Sequence, residues 1–166
     1  MGRPQALNLR KAGHAMAVWA RRKESMQPLV DAGASAFASP GETAALADVV
    51  FVMVSDTPDV EQVIFGPKGI IEGARPGNVV VDMSTISPVA TRDMAKRLAV
   101  KGIEMLDAPV SGGEVGAKAA SLTIMVGASE AAFERIKPLF ALMGKNITHV
   151  GEVGRASCRE RVYRSV

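Results

Sequence analysis

Apolar stretches of strand length alternate with helix-patterned stretches along almost the whole chain. The apolar stretches are Ala15–Ala20, Asp48–Val54, Asn78–Asp82, Gly102–Asp107, Leu122–Val126 and Asn146–Val150. Residues that end regular structure, chiefly Gly, Pro, Asp and Ser, bound them, and each is predicted to be a strand. Asp48–Val54 is dense in β-branched residues.

The segments between carry helix-start signals. Ser39-Pro40-Gly41-Glu42 has the form of a capping box with proline at the first helical position. Thr57-Pro58 and Ser87-Pro88 repeat the arrangement of a capping hydroxyl followed by proline. Ser129 is predicted to cap a helix in which Phe133, Ile136, Phe140 and Met143 recur at helical spacing. Pro138 lies inside that pattern, so a kink or break is expected near Lys137. This rhythm predicts an α/β fold with an open, doubly wound, mostly parallel sheet. Ligands of such sheets bind beyond the carboxyl ends of the strands, here after Val54, Asp82 and Asp107.

The two ends depart from the pattern. Gly2–Gly13 reads as a helix stopped by glycine, and no strand stands before it. Met1-Gly2-Arg3-Pro4 has the form of the close of a dinucleotide fingerprint, with Gly2 as its third glycine. The expectation is therefore a sheet missing its first strand, with exposed edges that favour aggregation. After Gly154 the alternation stops. Residues 1–154 are expected to form one incomplete nucleotide-binding domain. Residues 155–166 are expected to be a foreign or frame-shifted tail, the alternative being a genuine basic tail.

Composition refines this picture. Aromatic residues are 4% of the chain, so the core must rest on aliphatic side chains, as in a sheet covered on both faces. The formal charge is +3, and four Arg against one Glu between 155 and 166 account for all of it. The rest is neutral, which argues against a nucleic-acid partner. No apolar run approaches a membrane span. The single Cys158 precludes an intrachain disulfide and is compatible with a cytoplasmic setting. His14 and His149 have no metal-ligand spacing, and no metal is expected.

Three loops carry candidate chemistry. The strand ending at Met53-Val54 runs into Ser55-Asp56-Thr57-Pro58, where a helix N-terminus can favour an anionic cofactor group. Asp82-Met83-Ser84-Thr85 leads into a second such start, with Thr85 placed to contact a cofactor. Asp107-Ala108-Pro109-Val110-Ser111-Gly112-Gly113 leads into a third, where paired glycines allow close approach and Ser111 can bond a small carboxylate. Spacing alone favours an ordinary capped turn for the first two, and the third also reads as a flexible loop after a strand.

Taken in order and spacing, Gly2–Leu9, Met53–Glu61, Asp82–Pro88 and Asp107–Gly113 resemble the β-hydroxyacid (3-hydroxyisobutyrate-type) dehydrogenases. Asp56–Glu61, Ser111–Glu114 and Pro138–Thr148 are most similar to the branch that reduces tartronate semialdehyde. The resemblance runs from Met1 to about Gly154. It implies a Rossmann-type fold and hydride transfer between a nicotinamide cofactor and a short β-hydroxy acid or its semialdehyde. It implies that Gly2, Met53, Val54 and Thr85 bind the cofactor, and that Ser111, Gly112 and Gly113 bind the substrate.

It also implies a catalytic lysine on a helix beyond Gly151, followed by a helical domain through which the full-length protein forms a homo-oligomer. In this chain the lysine's register falls on Glu160, an anion that cannot donate to a developing alkoxide. No catalytic residue is therefore expected here, and the chain is expected to be inactive alone. Gln5 and Ala128 depart from the Met and Gly usual at those positions.

The second strand ends Ala20-Arg21-Arg22, with no acid to hold ribose hydroxyls and two guanidinium groups suited to a 2′-phosphate. This favours NADPH over NADH, against a plain basic helix start. The alternatives to the tartronate semialdehyde branch are an NAD-dependent 3-hydroxyisobutyrate dehydrogenase and a non-catalytic module that keeps the nucleotide fold.

Overall fold

The structure is a computed structural model and describes residues 1–157. In chain order its elements are α1 (Gly2–Lys11), β1 (Ala17–Val18), α2 (Gln27–Asp31), β2 (Ser35–Ala36), α3 (Pro40–Ala45), β3 (Val49–Val52), α4 (Thr57–Phe65), α5 (Ile70–Gly73), β4 (Val79–Asp82), α6 (Pro88–Ala99), β5 (Glu104–Asp107), β6 (Val110–Ser111), α7 (Gly113–Lys118), β7 (Leu122–Gly127), α8 (Glu130–Ala141) and β8 (Gly144–Gly151). All six expected strands are present. β2 and β6 are additional, and the stretch Ala15–Ala20 is strand only at Ala17–Val18.

The main sheet has six strands. β3, β4 and β5 run parallel, with Val50 opposite Val80 and Val80 opposite Met105. Asp107 faces Gly127, Val110 faces Ile124 and Ser111 faces Thr123, so β5 and β6 lie antiparallel along one side of β7. β8 lies parallel along the other side of β7.

Both faces of this sheet are buried. Val79, Val81, Leu106 and Ile124 pack with Phe133, Ile136 and Phe140 of α8. Val50, Val52, Val80 and Met105 pack with Ile64, Met94 and Leu98 of the helices on the opposite face. Alternation along a single strand, Val79 and Val81 one way and Val80 the other, therefore feeds two cores.

β1 and β2 form a separate two-stranded parallel sheet, Ala17 opposite Ser35 and Val18 opposite Ala36. Between β1 and β3 lies a cavity of about 1270 Å³, walled by Met16–Arg22 on one side, Val49–Ser55 on the other and α1 beneath. The expected sheet is thus split at this place into two. Gln5 of α1 borders the gap, is buried, and has a side-chain amide nitrogen with no hydrogen-bond partner.

The helix ends confirm some expectations and correct others. Ser39 Oγ accepts from Glu42 N at 3.1 Å, while Glu42 Oε2 accepts from Ala38 N. Ser129 caps α8 as expected. Gly13, with φ +94, follows the end of α1. Thr57 is not the cap of α4: Asp56 Oδ1 takes Asp59 N, and Thr57 Oγ1 instead accepts from Ser87 N at 3.1 Å. Ser87 makes no side-chain cap either, although its carbonyl accepts Thr91 Oγ1. Pro138 does not break α8, which runs through it to Ala141. Both Pro138 and Glu134, whose carbonyl loses its amide donor, are on the exposed side, where water can replace the missing bond.

Candidate functional site

The carboxyl ends of β3, β4 and β5 stand side by side and are stitched together by polar groups. Val54 N donates to Ser84 Oγ at 3.0 Å, and Ser84 N donates to Asp82 Oδ1 at 2.9 Å. Met83 N bonds Val52 O, and Ala108 N bonds Asp82 O. Asp82 is fully buried with Oδ2 unpartnered, and burial pushes its pKa from the ordinary 3.8 up to about 7. The bonds from Ser84 oppose this rise, and the charge of Asp107 adds to it. Desolvation is the largest cause, as for any carboxylate removed from water.

Five of the expected cofactor residues meet at one place. Gly2, Arg21, Arg22, Met53 and Val54 all border the cavity between β1 and β3. A Cβ on Gly2 would touch Met53 Cβ at 3.4 Å, so α1 begins close against the end of β3. No side chain caps the start of α1, which leaves its first amides free. Arg21 clasps Asp59 of α4 through two bonds of 2.7 and 3.1 Å. Thr85 is half-buried on the loop after β4 and does not line that cavity.

Ser111, Gly112 and Gly113 are exposed at the turn from β6 into α7. Gly112 has φ +128 and Gly113 φ +61, values that a side chain resists, so the turn requires both glycines. α7 leans on α1, with Asn8 Nδ2 donating to Ala117 O at 2.8 Å. Glu114, the residue after the turn, feels the charges of Arg3 and the amino terminus, which places it toward the start of α1. Glu114 and Lys118, paired at 2.7 Å, both border the cavity, and Lys118 holds the Glu114 carboxyl below the usual range with a smaller contribution from Arg3.

These arrangements suit an anionic dinucleotide. Free amides at a helix start and two arginines face one cavity, and glycines let backbone approach a ligand. Sequence reasoning missed Asp82, Ser84 and Asp107 as a buried polar group, although each stands at or just past an expected strand end. The residue in the lysine register, Glu160, lies outside the described residues, as does Cys158. Among the described residues no group of three or more His, Cys, Asp or Glu could hold a metal ion, and no helix is long and apolar enough to cross a membrane.

A family model described as the NAD binding domain of 6-phosphogluconate dehydrogenase matches residues 1–151. The 2-hydroxy-3-oxopropionate reductase of Escherichia coli (strain K12) is 48% identical over 158 residues, covering 93% of this chain and 52% of that protein. The 2-(hydroxymethyl)glutarate dehydrogenase of Eubacterium barkeri is 45% identical over 154 residues, covering 93% and 51%. Among solved structures, Mycobacterium tuberculosis 3-hydroxyisobutyrate dehydrogenase with L-serine superimposes with a TM-score of 0.93 at 32% identity, over 98% of this chain and 55% of that one. The chain spans about half the length of the curated relatives it matches. The match over residues 1–151 carries the conclusion: the chain belongs to the family of NAD-binding domains typified by that of 6-phosphogluconate dehydrogenase, within the NAD(P)-dependent oxidoreductases.

Proposed function

We propose that this chain is the cofactor-binding half of a 2-hydroxy-3-oxopropionate reductase, which interconverts tartronate semialdehyde and D-glycerate with NADPH. The observation that carries this reading is the packing of α7 on α1. It brings α7, which follows the Ser111-Gly112-Gly113 turn, against the helix that begins at Gly2, which supports reading the two as neighbouring substrate and cofactor elements.

A bound nicotinamide would supply the hydride. The chain's own residues bind and orient. The free amides at the start of α1 hold the diphosphate, and Arg21 and Arg22 face the 2′-phosphate. Met53 and Val54 pack along the cofactor, and Thr85 contacts it from the next loop. Ser111 Oγ and the amides of Gly112 and Gly113 hold the substrate carboxylate. The resemblance puts the proton donor in the register of Glu160, outside the described residues, so the chain alone is expected to bind but not to turn over.

The test is a pair of proteins, this chain and the same chain joined to the remaining half of a relative. The joined protein is expected to reduce tartronate semialdehyde with NADPH, and this chain is expected not to. A preference of the joined protein for 3-hydroxyisobutyrate with NAD would establish the alternative dehydrogenase. Absence of cofactor binding by both would favour a non-catalytic module.

A further inference from the structure

Asp107 stands at the end of β5, four residues before Ser111, and is fully buried. Its two carboxylate oxygens take three donors from a segment about fifty residues away. Gly154 N reaches Oδ1 at 2.6 Å, and Ser157 N and Oγ reach Oδ2 at 2.8 and 3.0 Å. The segment is the turn that leaves β8 and starts a helix at Arg155–Ser157. Gly154 has φ +85 and Gly151 φ +107, so the chain bends twice to bring its amides onto the carboxylate. Below it, Gly127 leaves no space for a side chain, because a Cβ there would collide with Asp107 Oδ1.

From this geometry we infer that Asp107 is a positioning residue: its carboxylate caps the chain leaving β8 and fixes that chain's start against the base of the Ser111 loop. The inference concerns this chain's own exit path and does not depend on which substrate or cofactor is bound.

An alternative role, as a mere buried polar group of the core, makes a different prediction about pH. Charged groups near the site are Asp82 on β4, Arg92 of α6 lying against Gly154, and Glu152 and Arg155 on the turn itself. Burial raises the Asp107 pKa, and the bonds from Ser157 and Gly154 lower it. Release of the turn would remove those bonds and also admit water to the carboxylate, so its pKa differs between the docked and the released turn. Docking is therefore linked to the ionisation of Asp107, and the stability of the turn relative to the core changes with pH. A mere core group would move the turn and the core alike.

Amide exchange of the full 166-residue chain, read by NMR as protection factors between pH 5 and 8, tests this. Gly154 and Ser157 are the probes, and Val81 and Val126 the core controls. The ratio of probe to control protection is expected to change with pH. Asp107→Asn should lower probe protection at least about tenfold, more than it lowers the controls, and abolish that change, as expected for loss of charge-assisted bonds. Loss of equal size at probes and controls, or probes unchanged, would overturn the proposal. Should Asp107→Asn fail to fold, Ser157→Ala decides. It deletes one bond without touching the carboxylate, and should lower protection at Gly154 by about fivefold relative to the controls. Unchanged protection there would overturn the proposal.

Discussion

The β1–α2–β2 unit and the β3–β8 sheet are built from the same alternation of apolar runs and helices, yet they hold together differently. In the sheet, β4 is flanked on both sides and its four residues are all buried. In the smaller unit, β1 has one neighbour, both residues of β2 are exposed, and the apolar cluster is Val18, Met26, Leu29 and Ala34. A cavity separates β1 from β3. The difference teaches that a βα unit gains its stability from the strand beside it more than from its own pattern.

The largest test of that contrast is local opening. Amides of the small unit, such as Phe37 N bonded to Val18 O, are expected to exchange at least about a thousandfold faster than Val81 or Val126, which open only with the whole sheet. Native-state hydrogen exchange measures both together. Similar rates at Phe37 and Val81 would mean that the two regions unfold as one, and the contrast would fail.

Truncation of core side chains should follow the same division. Phe140 is fully buried and edge-on to Phe51, so Phe140→Ala is expected to cost about 3–5 kcal/mol in denaturant unfolding. Leu29 is buried in the small cluster. Leu29→Ala should nonetheless cost less than about 1 kcal/mol of global stability, because a unit that opens locally contributes little to the global transition. Equal costs would show that the small unit is part of the cooperative core.

The same division governs how much could be read from the sequence. The long strands were legible because β-branched runs such as Val49–Val54 have no other stable use. β2 was not, since Ser35-Ala36 is two small residues with no apolar alternation, and its pairing is fixed by the chain around it. β6 lay inside Asp107–Gly113, where the approach to a glycine turn reads as loop. The site's glycines were legible by type, and positive φ at Gly112 and Gly113 explains them. The carboxylates were harder. Asp82 and Asp107 look like polar strand ends, and only the fold places them without solvent. The wrong helix caps have a similar origin: Thr57 and Ser87 can each cap locally, but Thr57 bonds across to the Ser87 amide instead.

Acid–base behaviour separates the regions by a smaller amount. Asp82, with its pKa pushed up to about 7, sits in the sheet, and the buried residues of the small cluster include no carboxylate. Because the folded pKa exceeds the unfolded 3.8, the folded state holds its proton longer, so stability declines as pH rises from about 4 to 7 and is then level. Asp82→Asn should flatten that decline and raise stability at pH 8 by about 2–4 kcal/mol. Thermal melts at pH 5 and 8 read the difference. A decline of unchanged size in the variant would assign it to another group.

The smallest effect on stability is expected where the two regions touch. Arg21, at the end of β1, clasps Asp59 at the start of α4, with the arginine side chain 58% exposed. Such a pair contributes no more than about 1 kcal/mol, since water and salt screen it. Its interest lies in competition. If Arg21 holds a 2′-phosphate, Asp59 and the phosphate contend for the same two guanidinium bonds. Arg21→Ala should then weaken NADPH binding by about tenfold and leave NADH unchanged, while the melting temperature barely moves. Asp59→Asn should do the reverse for NADPH, tightening it by freeing the guanidinium and removing a negative charge beside it. Titration of both cofactors against the fluorescence of Trp19, two residues before Arg21 and bordering the same cavity, would read all four affinities. Parallel losses of NADH and NADPH in Arg21→Ala would reduce the pair to a tie between the two regions, with no part in choosing the cofactor.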